Sequence, residues 1–407
     1  MLVCVSGCGI GASSGSLAAR SPSPSPEAAK PGPIPSPTTS PVESSPSPSP
    51  AALPAASIAC RSSSGGTNLV MIGGVYGTSL IYDVTDPVHP RLLCRILGTS
   101  ALLFSGSTFT YLDPQSADLT NIRVHSFANG SDTPAGTLPV WTNTATWHPS
   151  GALVAYSTRL EATVSSETTV QVWLFGRSAG IPLFTYRIGA VDCICRFGLP
   201  QPVLAVSPDG QYVAAGWGFG KGGDPLAVYR LSDRTRVATL DQATTAFWDR
   251  SGHRLFVIGF GNDVAKVWAP ESGISSLAGA GAWTNLAGLS PDGGQVAYTA
   301  NADPNSIKLR VYVYDMKAGT TRMLVDKLRT QALFVRNGWV WYLEEAPCDP
   351  MACGAPWGTQ PTGKVFAMQL ATGTETEVSF GVGENPVMPT NEVNWLPFTP
   401  GVFWPQS

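Results

Sequence analysis

The chain has 407 residues, enough for one large core or two domains, but only 13% are charged, against about a quarter in ordinary domains. Net charge is −3 and no basic run exists, which argues against nucleic acid as a partner, because phosphate binding needs clustered Lys and Arg. No apolar run reaches about 18 residues, so no segment reads as a membrane-spanning helix.

At the N-terminus, Val5-Ser6-Gly7-Cys8 resembles a bacterial lipobox, which implies lipidation of Cys8 and attachment to a bacterial membrane through that lipid alone. Only seven residues precede Cys8 and none is basic. Either an upstream start supplies the missing apolar region or the match is incidental. Residues 1–8 are therefore read as a truncated signal and lipobox.

Residues 9–57 are a Ser/Pro/Ala-rich segment nearly devoid of aromatics. It cannot bury enough apolar surface to offset its ordering entropy, so the expectation is an extended, disordered linker. At ~3.1 Å per residue it would span on the order of 100 Å. A stalk directly behind a lipidation site favours the anchored reading and an extracytoplasmic location in the cell envelope.

From residue 58 to the end, short runs of β-branched, aromatic and aliphatic residues alternate with Gly, Pro, Asp and Ser, with no long stretch of helical periodicity. "VSPDGQYVAA" (Val206 to Ala215) has a near copy, "LSPDGGQVAY" (Leu289 to Tyr298), and looser copies at Trp147 to Tyr156 and Trp248 to Val257. The turn glycines Gly151, Gly210, Gly252 and Gly293 are 59, 42 and 41 residues apart. A unit of about 40–45 residues with four strands is a propeller blade. Seven units follow, at about 68–98, 100–140, 143–188, 203–240, 243–279, 284–326 and 330–380. The first lacks a leading strand, and "NEVNWLPFTPG" (Asn391 to Gly401) is expected to supply it, so that the C-terminal strand closes the ring.

The S-P-D-G turn followed by an apolar strand resembles the WD-repeat-like unit of TolB-type bacterial proteins and the YncE/lactonase-like propellers of exported proteins. The resemblance implies an all-β, seven-bladed propeller that uses its loops to hold a protein, peptide or small molecule. The WD dipeptide itself is missing, although Trp173 and Trp268 hold the aromatic position. In the turn, Pro sets φ for the second position, Asp suits the third and Gly the exit. Asp209 and Asp292 are therefore read as turn residues and not as catalytic or metal-binding groups.

Cysteine spacing leaves several pairings open. In an exported chain Cys348 could pair with Cys353, and Cys60, placed ahead of the first strand, with Cys94. A Cys193–Cys195 bridge would be strained. Structural zinc fits these spacings poorly. The four histidines are scattered through the sequence.

Function is expected on the face that carries the long connections between second and third strands and between units. Candidate binding residues there are Lys221, Asp224, Asn301, Asp303, Glu344, Glu345, Asp349 and Trp357. Glu344 and Glu345 are adjacent on a strand, so they point to opposite sides and read as solvated edge residues. "GFGKGG" (Gly218 to Gly223) fits G-x-G-x-x-G, but a strand and no helix follows, so it reads as a hairpin loop. No catalytic set, metal cluster or cofactor site is recognised. The expectation is a monomeric, non-catalytic binding module for a protein, peptide or glycan. The competing reading is a lactonase-like hydrolase with carboxylates lining the central channel, and quinoprotein chemistry is a more distant one.

Overall fold

A computed structural model of the chain describes residues 57–385 except for short segments, the longest of which are 159–167, 189–201 and 350–358. The chain divides into Met1–Ser49 and Pro50–Ser407, and the first unit lies wholly outside the described residues.

The described strands fall into seven four-stranded antiparallel sheets. The first contains β1 (Ser57–Cys60), β2 (Leu69–Gly73), β3 (Ser79–Asp83) and β4 (Arg91–Leu97). The second contains β5 (Ala101–Ser105), β6 (Thr108–Ser116), β7 (Leu119–Ser126) and β8 (Asp132–Leu138). The third has β9 (Ala145–Trp147), β10 (Leu153–Thr158), β11 (Thr168–Phe175) and β12 (Gly180–Ile188). The fourth has β13 (Pro202–Val206), β14 (Tyr212–Trp217), β15 (Ala227–Arg230) and β16 (Arg236–Thr239). The fifth has β17 (Thr245–Trp248), β18 (Leu255–Ile258), β19 (Lys266–Ala269) and β20 (Gly273–Ser276). The sixth has β21 (Asn285–Leu289), β22 (Gln295–Asp303), β23 (Ser306–Asp315) and β24 (Thr320–Met323). The last has β25 (Arg329–Arg336), β26 (Trp339–Pro347), β27 (Thr359–Gln369) and β28 (Thr374–Glu377).

Burial orders the strands within each sheet. In the last sheet β25 is buried along nearly its whole length while β28 is largely exposed, and β24, β20 and β8 are exposed in the same way. First strands are therefore innermost and fourth strands form the rim. Sheets pack face to face in succession. Trp248, Leu255 and Trp268 of the fifth sheet share a core with Ala214 and Val228 of the fourth. Phe334 and Tyr342 of the last pack on Val311 and Val313 of the sixth. Leu333, Trp341 and Val378 of the last pack on Val70, Tyr82 and Val84 of the first. This is an all-β propeller.

The first sheet corrects the sequence expectation. Its order is β1-β4-β3-β2, so the strands read as second, third and fourth are in fact first, second and third. The fourth is β1, which pairs antiparallel with β4 and shows the exposed burial of the other rim strands. Cys60 lies within β1, opposite Cys94, and not ahead of the first strand. The physical reason is burial at the two edges: Leu69–Ile72 of β2 is buried along its length, whereas β1 alternates between exposed and half-buried, so β2 takes the inner edge and β1 the rim. Asn391 to Gly401 lie outside the described residues.

The repeated turns have the geometry read from sequence, with added detail. In Ser207–Gly210 the Gly210 N–H donates to the Ser207 carbonyl at 2.8 Å, and Gly210 has φ +70°. Ser207 Oγ accepts from Tyr212 N at 2.9 Å, and Asp209 Oδ1 accepts from Gln211 N at 3.0 Å. The copy at Ser290–Gly293 repeats each contact, with Gln295 N on Ser290 Oγ at 2.9 Å and Gly294 N on Asp292 Oδ1 at 3.0 Å. Consecutive turns also touch. A Cβ on Gly252 would lie 2.9 Å from Asp209 Cγ, and Asn337 Oδ1 accepts from Asp292 N at 3.3 Å.

Candidate functional site

The candidate site is the inner, loop-bearing end of the last sheet, where β25 departs from regular strand geometry. Arg329 pairs with Glu344 and Thr330 with Leu343, but the next pair is Leu333 with Trp341. One extra residue is thus bulged out on β25. Gln331 within the bulge has φ +55°, rare for a residue with a Cβ, and is 6% exposed. Non-glycine residues in this region of φ cost about 1–3 kcal/mol and concentrate at functional sites. The buried Thr330 hydroxyl beside it has no hydrogen-bond partner.

Charged groups surround the bulge. The Arg329 side chain is 4% exposed and reaches Glu344 Oε1 at 3.2 Å and Glu375 Oε1 at 3.0 Å. Its guanidinium lies over the Phe366 ring at 4.3 Å from the centroid. Burial alone would raise the Glu375 carboxyl, but hydrogen bonds from Lys327 and Arg329 hold it below its ordinary value. Tyr342 Oη donates to the same Glu375 oxygen at 3.3 Å, and burial drives its phenol upward.

Glu345 behaves differently. It is 6% exposed, and burial raises its carboxyl above the ordinary value even though Thr359 Oγ1 donates to Oε2 at 2.6 Å. The reading of both glutamates as solvated edge residues is corrected for Glu345. Strand alternation places Glu344 in the Arg329 network and turns Glu345 into the sheet packing, so the two do not face each other as an acid/base pair.

The other predicted residues are distributed as follows. Asn301 and Asp303 lie on β22, opposite Leu309 and Ser306 of β23. The expected eight-residue loop is instead a tight hairpin, because the two strands pair to their tips. The connection expected over Glu344 to Gly363 shrinks to 348–358, since β26 runs to Pro347 and β27 starts at Thr359. Asp349 is exposed just beyond β26. Cys348 is disulfide-bonded, and its partner lies outside the described residues. Lys221, Asp224, Trp357, Cys8, Cys193, Cys195, Cys353 and the Gly218 to Gly223 segment also lie outside them. The structure thus brings Glu344 and Glu345 together with Arg329 and Thr359, neither of which stands out in the sequence. A bulge carries no signal in residue spacing, so neither could have been found that way.

On the opposite end, a shallow cleft of about 390 Å³ lies between the turns of the fifth and sixth sheets, lined by Asp249, Ser251, Arg254, Asp292 and Gly293. Its carboxylates are already engaged. Asp249 binds Arg254 Nε at 3.0 Å and Ser251 Oγ at 2.9 Å, and Asp292 holds its own turn.

Cys60 and Cys94 form a disulfide at the boundary of the first two sheets, with Cα atoms 4.1 Å apart. Of the pairings left open by the sequence, this one is realised. His125 of β7 lies beside it, with one ring nitrogen and both sulfurs within 4.8 Å of one another. Residue spacing along the chain does not signal this grouping.

No protein-family model matches the chain, and no curated protein does. Among solved structures it is similar to the periplasmic gluconolactonase of Pseudomonas aeruginosa, at 15% identity and TM-score 0.45, over 77% of this chain and 97% of that one. It is also similar to TolB from Acinetobacter baumannii, at 12% identity and TM-score 0.38, over 76% and 78%. Hydrazine synthase of Kuenenia stuttgartiensis matches at 14% identity and TM-score 0.36, and the chain spans 64% of that protein while 57% of its own length is covered. Such likenesses concern the fold alone.

Proposed function

We propose that the chain is an extracytoplasmic, non-catalytic binding module, a monomeric seven-bladed propeller that presents its loop-bearing end to a protein, peptide or glycan. Cys8 carries a lipid anchor, and the Ser/Pro-rich segment holds the propeller away from the membrane.

The observation that carries this reading is the make-up of the innermost strands. β2, β5, β9, β13, β17, β21 and β25 read LVMIG, ALLFS, ATW, PVLAV, TAFW, NLAGL and RTQALFVR. None contributes an Asp, Glu or His, and their only ionisable side chains are Arg329 and Arg336. Hydrolysis in the channel needs a general base or a metal-held water, and the residues of these strands include no carboxylate or imidazole to serve either.

The test combines two measurements on the full chain. Peptide and glycan arrays are probed with the natural protein and with a variant whose 348–358 connection is replaced by a short Gly/Ser linker. A ligand bound by the first and lost by the second, at unchanged melting temperature, supports the proposal. Turnover of a gluconolactone panel above the uncatalysed rate, abolished by a channel-lining substitution, would establish the lactonase reading in its place.

A further inference from the structure

Three features at the boundary of the first and second sheets converge. Cys60 and Cys94 are directly opposed across β1 and β4, and Cys94 is wholly buried while Cys60 on the rim strand is partly exposed. His125 is 4% exposed, and its Nε2 is buried with no hydrogen-bond partner. Its other ring nitrogen, Nδ1, lies 3.1 Å from Asp132 Oδ1. A carboxylate only accepts, so in the neutral ring Nδ1 carries the hydrogen and Nε2 presents its lone pair. The Asp132 carboxylate also accepts from Tyr111 Oη at 3.2 Å, which steadies it. Phe109, fully buried, packs against the imidazole with ring centroids 5.0 Å apart.

An imidazole held by a carboxylate at Nδ1, with Nε2 buried and unpartnered and a ring nitrogen within 4.8 Å of two cysteine sulfurs, resembles the arrangement found around zinc ligands. We propose that reduction of the Cys60–Cys94 disulfide opens a Cys₂His site for a thiophilic divalent cation of the zinc class, with Cys60, Cys94 and His125 Nε2 as ligands and Asp132 as the positioning residue.

Charge favours a divalent ion. Two thiolates and a neutral imidazole around M²⁺ form a neutral unit, which a site bounded by Cys94, Phe109 and Tyr111 tolerates better than a net charge. The ligand atoms lie within 4.8 Å of one another, so small shifts bring them to about 2.3 Å for sulfur and about 2.0–2.1 Å for nitrogen. Solvent fills the fourth position on the exposed Cys60 side.

The chemistry balances with a dithiol as reductant. Its thiolate attacks Cys60 Sγ, the accessible sulfur, forming a mixed disulfide and releasing the Cys94 thiolate. The second thiol of the reductant then displaces Cys60 and closes the reductant's own disulfide. Two electrons pass to the protein sulfurs, and the two protons of the dithiol are taken up by the cysteines. Metal binding expels those protons, and reoxidation expels the metal.

The test uses the full chain with Cys4, Cys8, Cys193, Cys195, Cys348 and Cys353 replaced by Ser, so that thiolate signals report only this pair. After reduction by dithiothreitol and its anaerobic removal, Co²⁺ should bind at one equivalent with sulfur-to-metal charge-transfer absorption. The oxidised protein should give none, and His125→Phe should bind at least tenfold more weakly. To separate ligation from a folding defect, ¹⁵N NMR of the histidines in the natural sequence should show the His125 Nε2 resonance shifting on addition of Zn²⁺ after reduction. Absence of stoichiometric binding, equal affinity in His125→Phe, or an unmoved Nε2 resonance would each overturn the proposal.

Discussion

The Trp341 indole N–H donates to the Pro87 carbonyl at 2.9 Å, joining residues 254 positions apart in the last and first sheets. The bond sits within a shared core in which Tyr82 and Phe380 pack edge-on against the Trp341 ring. A polar strap continues it: Tyr82 Oη donates to the Glu384 carbonyl at 2.6 Å, and Arg61 pairs with the Glu384 carboxylate at 2.5 Å. The described part of the ring thus holds its ends together with side chains from both.

Trp341→Ala is therefore expected to cost about 3–5 kcal/mol, the range for deleting a fully buried large aromatic. Urea titration followed by the remaining tryptophans measures it. A loss below about 1 kcal/mol would mean that the contact between first and last sheets adds little to stability.

The Cys60–Cys94 bridge closes a loop of sequence separation 34. By chain entropy such a loop is worth about 4 kcal/mol. Cys60→Ala/Cys94→Ala should lower the urea midpoint accordingly, and adding dithiothreitol should then cause no further drop from this pair.

Gly252 and Gly130 make a controlled comparison. Both have positive φ, +78° and +68°, so alanine is strained at either by about 1–2 kcal/mol. Only at Gly252 does the added Cβ also meet the neighbouring turn, 2.9 Å from Asp209 Cγ, whereas Gly130 has open space. Gly252→Ala should be the more destabilising of the two in thermal melts. Equal effects would show that the turns do not depend on their mutual contact.

Glu345 gives a pH dependence of defined sign. Its carboxyl is raised in the folded state by burial, so the folded protein holds a proton that the unfolded chain releases. Its contribution is therefore fully favourable below the ordinary carboxylate value and declines as pH rises through the folded value. Glu345→Gln keeps an acceptor for Thr359 and removes the charge. The variant should match the natural protein at pH 4 and exceed its melting temperature at pH 7.

Removing Arg329 tests the opposite situation. Arg329→Met leaves the half-buried Glu344 and Glu375 carboxylates without their guanidinium, and should cost about 3 kcal/mol near neutrality. Much of that loss should be regained when Glu344→Gln and Glu375→Gln are added, as a coupling measured by a multiple-mutant cycle.

The strand repeat, its turns and the all-β class were legible in the sequence because they are local. Ser207-Pro208-Asp209-Gly210 specifies its turn through its own backbone preferences and contacts at most five residues away. Inward and outward alternation follows from the pleat, which is why Glu344 and Glu345 could be assigned to opposite sides in advance. Tertiary packing alone decided which strand is which in the first sheet, because Ser57–Cys60 is short and equivocal until β4 and Cys94 give it a partner. It also decided that the Glu345 carboxyl is raised, since burial is a property of the neighbours and not of the residue. The bulge at Gln331 and the meeting of His125 with two cysteines from another sheet belong to the same class. They depend on how sheets are registered and stacked, and residue spacing along one chain holds no record of that.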